Sequence, residues 1–255
     1  MQLPYDETHT RRRIYLVRHG HAIGQGANSA RYTPDVTLTP QGTRQAEAAR
    51  DFLSQVPFDE AWSSDMTRAQ QTAGIILQAH PGLALQTSPA YREIGIDLAQ
   101  AVAHGQGGLN ERLHAFAYQL WHADEPGARI FGVGDFYREY ADRAFETMNA
   151  LALDATGHTV LLATHGGFIR AAMCWATRSA SLSAFGAFDQ DHCGITVLDV
   201  DIDAASRRVL RHHVRLANFT ALDPDKRNLR RIDSEVMAEQ ISALVDRLKG
   251  SSPDA

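Results

Sequence analysis

The chain has 255 residues, 44% of them hydrophobic and 22% charged, with a formal net charge of -5. Such a chain is globular and long enough to bury a full core, which excludes disorder, fibrous repeats and coiled coil as readings of the whole. Only two cysteines, Cys174 and Cys193, are present, so a disulfide-stapled scaffold is excluded and a reducing compartment expected, while the mildly acidic balance argues against general nucleic-acid binding.

Residues 1–12 read as a polar N-terminal tail, because no apolar run follows their charges as a secretory leader requires. No stretch of roughly 18 apolar residues exists, so no membrane span and cytoplasmic residence are expected. Residues 13–17 (RIYLV) predict a buried strand ending in Arg18-His19-Gly20. Residues 21–35, rich in Gly, Ala, Ser and Asn, predict a loop. Thr39 then caps a helix with Pro40 at its first position, and Ala46, Ala49, Leu53 and Val56 give it a buried stripe. Residues 59–63 predict a second strand, followed by a helix capped by Ser64 or Asp65 and running to about residue 79. A short strand is expected at 84–87.

From residue 95 to 134 glycines and prolines interrupt the pattern, around a helix expected at 110–122. This segment predicts a cap or lid inserted into one domain. A strong helix follows at 135–153, with Phe136, Tyr140, Ala144, Phe145, Met148 and Leu151 on one face. Residues 158–163 (HTVLLA) form the clearest buried strand, ending in Thr164-His165-Gly166-Gly167 before a helix at 168–177. Strands at 193–200 and 207–216 and an amphipathic helix at 231–249 complete the chain; that helix either covers the sheet or contributes to a homodimer. Strands alternating with helices predict one α/β domain over 1–255: a three-layer α/β/α sandwich with a mostly parallel sheet, helices on both faces and the cap insertion.

His19 and His165 share a context: each follows a hydrophobic strand and precedes glycine. Ligands of open α/β sheets bind outside the carboxyl ends of strands, so the two imidazoles meet there if their strands are neighbours. Arg68 falls in the first turns of a helix that follows a strand, where free N–H groups attract an anion. Of the 25 lysines and arginines, only Lys226 and Lys249 are lysine. Arginine's planar fork suits phosphate, yet codon usage is the readier explanation of the count, so only position can single out individual arginines. His212 and His213, on an expected strand, read as structural.

Five ordered motifs resemble the histidine phosphatase superfamily, the phosphoglycerate mutase-like proteins. Leu16-Val17-Arg18-His19-Gly20 resembles its Arg-His-Gly signature, Leu38-Thr39-Pro40-Gln41-Gly42 its first helix start, and Ser63 to Thr72 its second-arginine motif. Tyr91-Arg92-Glu93-Ile94 resembles the segment bearing its acid, and Thr164-His165-Gly166-Gly167 its second-histidine motif. The resemblance implies a phosphatase in which His19 attacks phosphorus and becomes a phosphohistidine. Arg18, Arg68 and His165, with the Gly166 amide, would bind the phosphoryl group. Glu93 would protonate the leaving alkoxide and then deprotonate water, with Asp97 and Glu111 as fallback acids. No metal or cofactor is implied, because cationic side chains take the role of Mg²⁺; the implied partner is a small phosphorylated substrate.

Several positions depart from the family pattern. His21 stands where members often carry Glu, and Gly24-Gln25 where they often carry Trp-Asn. Gln25 is the candidate replacement for the amide that contacts phosphate. Gly95-Ile96-Asp97-Leu98 replaces a Gly-Trp-Glu-Gly-like run, which loosens the assignment of Glu93. No mutase-type substrate signature is evident in these places, so hydrolysis is favoured over phosphate transfer, and both over a non-catalytic phospho-ligand module.

Overall fold

The computed structural model describes residues 9–22, 36–95, 120–130, 134–178, 181–203 and 205–227. Gln25, Asp97, Glu111, most of the expected cap and the expected C-terminal helix lie outside them.

Six strands form one sheet: β1 (His9–Arg18), β2 (Glu60–Ser64), β3 (Leu85–Ser88), β4 (Thr159–Thr164), β5 (Ile195–Asp203) and β6 (Arg208–Phe219), in the order β3-β2-β4-β1-β5-β6. The first four positions are parallel; β5 is antiparallel to β1, and β6 to β5. Among the described residues, four α-helices cover the sheet: α1 (Pro40–Leu53), α2 (Thr67–Leu77), α3 (Tyr137–Asp154) and α4 (Gly166–Ala176). Alternation along the strands sorts side chains to two cores. Val17, Leu161 and Ile195 pack with α1 and α2, whereas Leu16, Val160, Leu162 and Leu198 pack with α3 and α4. This is the expected three-layer α/β/α arrangement.

The N-terminal tail needs correction: β1 begins at His9, so residues 9–12 are strand. Their charges are paired, not solvated. Arg11 and Arg13 lie directly opposite Asp201 and Asp199 of β5 and bridge them at 2.7 and 2.6 Å. Both aspartates are buried, so each arginine neutralises a carboxylate that burial would otherwise penalise. Arg12 points to the other face and donates to the carbonyls of Ala152, Ala155 and Gly157, meeting acceptors that the C-terminal end of α3 leaves open.

Two helices also start differently from expectation. Met66 occupies the N-cap position of α2 with no side-chain cap. Ser64 accepts from the Met66 amide at 3.3 Å, while Asp65 is engaged by Arg92 at 2.7 and 2.6 Å. On α3, Tyr137, Tyr140, Ala141, Ala144, Met148 and Leu151 are buried; Phe145 is half-buried and Phe136 precedes the helix, its ring under Arg129. The α1 cap is as expected: Thr39 accepts from the Gly42 amide at 3.1 Å, and its hydroxyl donates to the His21 carbonyl at 3.2 Å. A Cβ at Gly42 would stand 2.1 Å from that carbonyl, so only glycine lets the first turn of α1 pack so closely on the turn after β1.

The topology collects one edge of the sheet into a site. Arg18 pairs in register with Thr164, and Ser63 of β2 with Ala163, so three parallel strands end side by side. Antiparallel β5 starts at the same edge, with Ile195 opposite Val17. Thr39→Ala should lower unfolding stability by about 1 kcal/mol, because it removes the helix cap and its tie to His21. A urea midpoint equal to that of the parent chain would contradict this.

Candidate active site

His19 follows β1, is 4% exposed, and donates its backbone N–H to the Thr164 carbonyl at 2.9 Å. Its Nδ1 lies 2.8 Å from the Gly20 carbonyl, which can only accept, so Nδ1 carries the proton and Nε2 the lone pair. Arg68, on the first turn of α2 and 1% exposed, donates from Nε to that lone pair at 3.1 Å. A second nitrogen of the same guanidinium lies 3.2 Å from His165 Nδ1. Guanidinium nitrogens only donate, so His165 Nδ1 accepts and its proton sits on Nε2. That Nε2 is buried and has no hydrogen-bond partner among the described residues. The two imidazoles are 5.2 Å apart, inclined at 63°.

Electrostatics keep both rings uncharged. Burial first, then the Arg68 guanidinium, hold His19 well below the ordinary imidazole range, with His165, Arg18 and His192 adding to the effect. Burial, then Arg68, Arg18 and Arg143, do the same to His165. Both rings are therefore neutral near pH 7. Arg18, 5% exposed, donates to the Gln190 carbonyl. A Cβ at Gly166 would stand 3.4 Å from its Nε, so Arg18 lies against the first residue of α4.

Glu93 reaches the same helix start. Its Oε2 accepts from the Gly167 amide at 3.1 Å; its Oε1 accepts from the Ile94 amide at 3.0 Å and the Tyr140 hydroxyl at 3.1 Å. Arg92, the residue before it, engages Asp65. A Cβ at Gly167 would stand 2.3 Å from Glu93 Oε1, so this glycine makes room for the carboxyl. The structure thus brings Arg18, His19, Arg68, Glu93, His165 and Gly166 to one end of the sheet. In the described part of the segment expected to form a cap, His122 pairs with Glu125 at 2.7 Å and Arg129 donates to the Gly134 carbonyl at 2.9 Å. His212 packs on Trp175 at 4.1 Å and His213 bridges Asp201 at 3.4 Å, both structural as expected.

One side chain at the site was missed. His192 lies 5.6 Å from His19 and 5.3 Å from His21, ring to ring, extending the row of imidazoles. Burial, then Arg18, His21 and Arg68, hold it well below the usual range. The available signal was the strand expected to begin at Cys193: if that strand pairs antiparallel with β1, the residue before it arrives beside His19. Both cysteines are buried and free, as expected of core residues.

The described residues contain no group of three or more His, Cys, Asp or Glu side chains able to hold a metal ion, and no helix long and apolar enough to cross a membrane. Residues 14–213 match the histidine phosphatase superfamily (branch 1). The chain belongs to this superfamily, and it is an enzyme of phosphatase type. It is 27% identical over 169 residues to a metal-independent phosphoserine phosphatase of Arabidopsis thaliana, covering 66% of this chain and 70% of that one. It is 30% identical over 153 residues to a probable phosphoglycerate mutase of Yersinia pestis, covering 60% and 69%. A solved mycobacterial glucosyl-3-phosphoglycerate phosphatase superposes with a TM-score of 0.62 at 22% identity, over 82% of this chain and 99% of that one, a likeness of fold.

The depressed histidines make stability pH-dependent. The unfolded chain takes up protons as pH falls through the ordinary value of 6.5, whereas folded His19, His165 and His192 refuse them. Their contribution is therefore present above that pH and lost below it, by up to about 1.4 kcal/mol per pH unit for each group. Urea midpoints should fall between about pH 7.5 and about pH 5.5, and His192→Asn should flatten the fall. Equal midpoints across that range would contradict the buried neutral row.

Proposed function

We propose that this protein is a metal-independent phosphomonoesterase that works through a phosphohistidine on His19. The observation that carries the reading is the single buried guanidinium of Arg68 joining both imidazoles. A phosphoryl group entering between the histidines offers oxygens to the donors of Arg68, Arg18 and His165 Nε2. It also competes for the Arg68 N–H that covers the His19 lone pair, so binding the substrate uncovers the nucleophile.

His19 Nε2 then forms a bond to phosphorus as the ester P–O bond breaks. Charge on the phosphoryl oxygens is met by two arginines, the His165 N–H and the Gly166 amide at the start of α4. The leaving alkoxide takes a proton from Glu93. Water, deprotonated by the same carboxylate, then attacks phosphorus, the P–N bond breaks, and inorganic phosphate leaves. Fixed cations supply the charge stabilisation that Mg²⁺ gives in other phosphoryl transferases, so a chelator should leave turnover unchanged. Cytoplasmic residence belongs to the same proposal and is supported by two free buried thiols.

A second reading is transfer to an acceptor hydroxyl instead of water, favoured by the relatives named phosphoglycerate mutases. It is recognised by phosphate exchange between isomers without release of inorganic phosphate. Phosphoserine and phosphoglycerate, which name the substrates of relatives, belong in a panel of small phosphomonoesters ranked by kcat/KM. The decisive variant for the proposal is His19→Ala. It should lower hydrolysis of para-nitrophenyl phosphate by about four orders of magnitude or more with circular dichroism and Tm preserved. Retained hydrolysis would overturn the mechanism.

A further inference from the structure

Glu93 sits in irregular backbone after a 3-10 turn at Pro89–Tyr91, where its local hold is the neighbouring Ile94 amide on Oε1 at 3.0 Å. Proton transfer tolerates little misplacement, so an acid on such a segment needs support from rigid neighbours. Two residues of α3 supply it, one turn apart on a single helix face. Arg143 donates to three carbonyls of the segment leading into Glu93: Pro89 at 3.3 Å, Ala90 at 3.0 Å and Arg92 at 3.1 Å. Its guanidinium lies 4.9 Å from the centre of the Tyr140 ring. Tyr140, 3% exposed, donates its hydroxyl to Glu93 Oε1 at 3.1 Å.

We infer that Tyr140 and Arg143 are positioning residues for the proton-transfer step, Arg143 by fastening the backbone before Glu93 and Tyr140 by holding one carboxyl oxygen. This rests on the reading of Glu93 as the acid. With the Ile94 amide and the Tyr140 hydroxyl both on Oε1, the transferable proton belongs on Oε2, the oxygen that faces the start of α4 beside His165. Burial, then the nearby Glu93, push the Tyr140 hydroxyl well above its ordinary range, so it stays a donor throughout turnover. On the opposite flank the Arg92–Asp65 pair ties the same segment to the start of α2, the helix of Arg68. That pair is half-exposed and contributes little by itself. The acid segment is thus strung between the helix that binds phosphate and the helix that carries Tyr140.

The test uses leaving groups of graded acidity. A para-nitrophenolate departs as a stable anion, whereas an alkoxide needs a proton, and general acid catalysis is worth about 10²–10⁴-fold. kcat/KM, which reports the phosphorylation step, is measured for aryl phosphates of rising leaving-group pKa and for glycerol phosphate. Glu93→Gln should steepen the dependence on leaving-group pKa. Tyr140→Phe and Arg143→Ala should each steepen it in the same direction, raising the aryl-to-alkyl ratio by about 10-fold, with partial recovery in Arg143→Lys. A loss of fold alone scales all substrates equally, because the ratio is taken within each variant. If Glu93→Gln steepens the dependence and the α3 variants do not, the positioning role is overturned. If Glu93→Gln does not steepen it, Glu93 is not the acid and both readings fall.

Discussion

A cation buried between two neutral imidazoles is the constraint on which the rest of this structure depends. Arg68 is almost fully enclosed, and its donors meet His19 Nε2, His165 Nδ1 and the sulfur of Met66. Taking a guanidinium out of water is costly, and neutral acceptors recover only part of that cost. In the proposed mechanism this arrangement places positive charge where the phosphoryl group binds. Burial first, and then the same proximity, keep the histidines unprotonated, as a nucleophilic imidazole must be to attack. The side chain that brings the charge therefore also favours neutrality of its neighbours.

Backbone architecture makes that arrangement reproducible. His19 and His165 end adjacent parallel strands, Arg68 begins the helix after the next strand, and β5 brings His192 to the same edge by running the other way. Glycine governs the closest approaches: Gly42 lets α1 press on the turn after His19, and Gly167 leaves space for the Glu93 carboxyl. Substituting Gly167 would move the end of a flexible side chain, not backbone, so its effect belongs to chemistry more than to stability.

The cluster at the end of the sheet was legible in the sequence because its residues sit where hydrophobic strand runs stop or where the next helix starts. Position singled out His19, His165 and Arg68, and the motif resemblance added Arg18 and Glu93. What was not legible depends on pairing between distant segments. Arg11 and Arg12 look like part of a polar tail until Asp201 and the end of α3 stand opposite them. His192 looks like a loop residue until β5 runs antiparallel to β1. Tyr140 was correctly expected on the buried face of its helix, but periodicity says nothing of a hydroxyl reaching Glu93. The arginine-rich composition singled out none of these roles; position and partner did.

The central claim concerns one nitrogen. The Gly20 carbonyl holds the proton on His19 Nδ1, so in the proposed mechanism phosphorus bonds to Nε2. Rapid quenching during turnover, followed by peptide mapping and phosphorus NMR of the trapped species, reads this directly. The account predicts an acid-labile phosphate on Nε2 of His19. Phosphate on Nδ1, on another residue, or on no residue while turnover proceeds would contradict it.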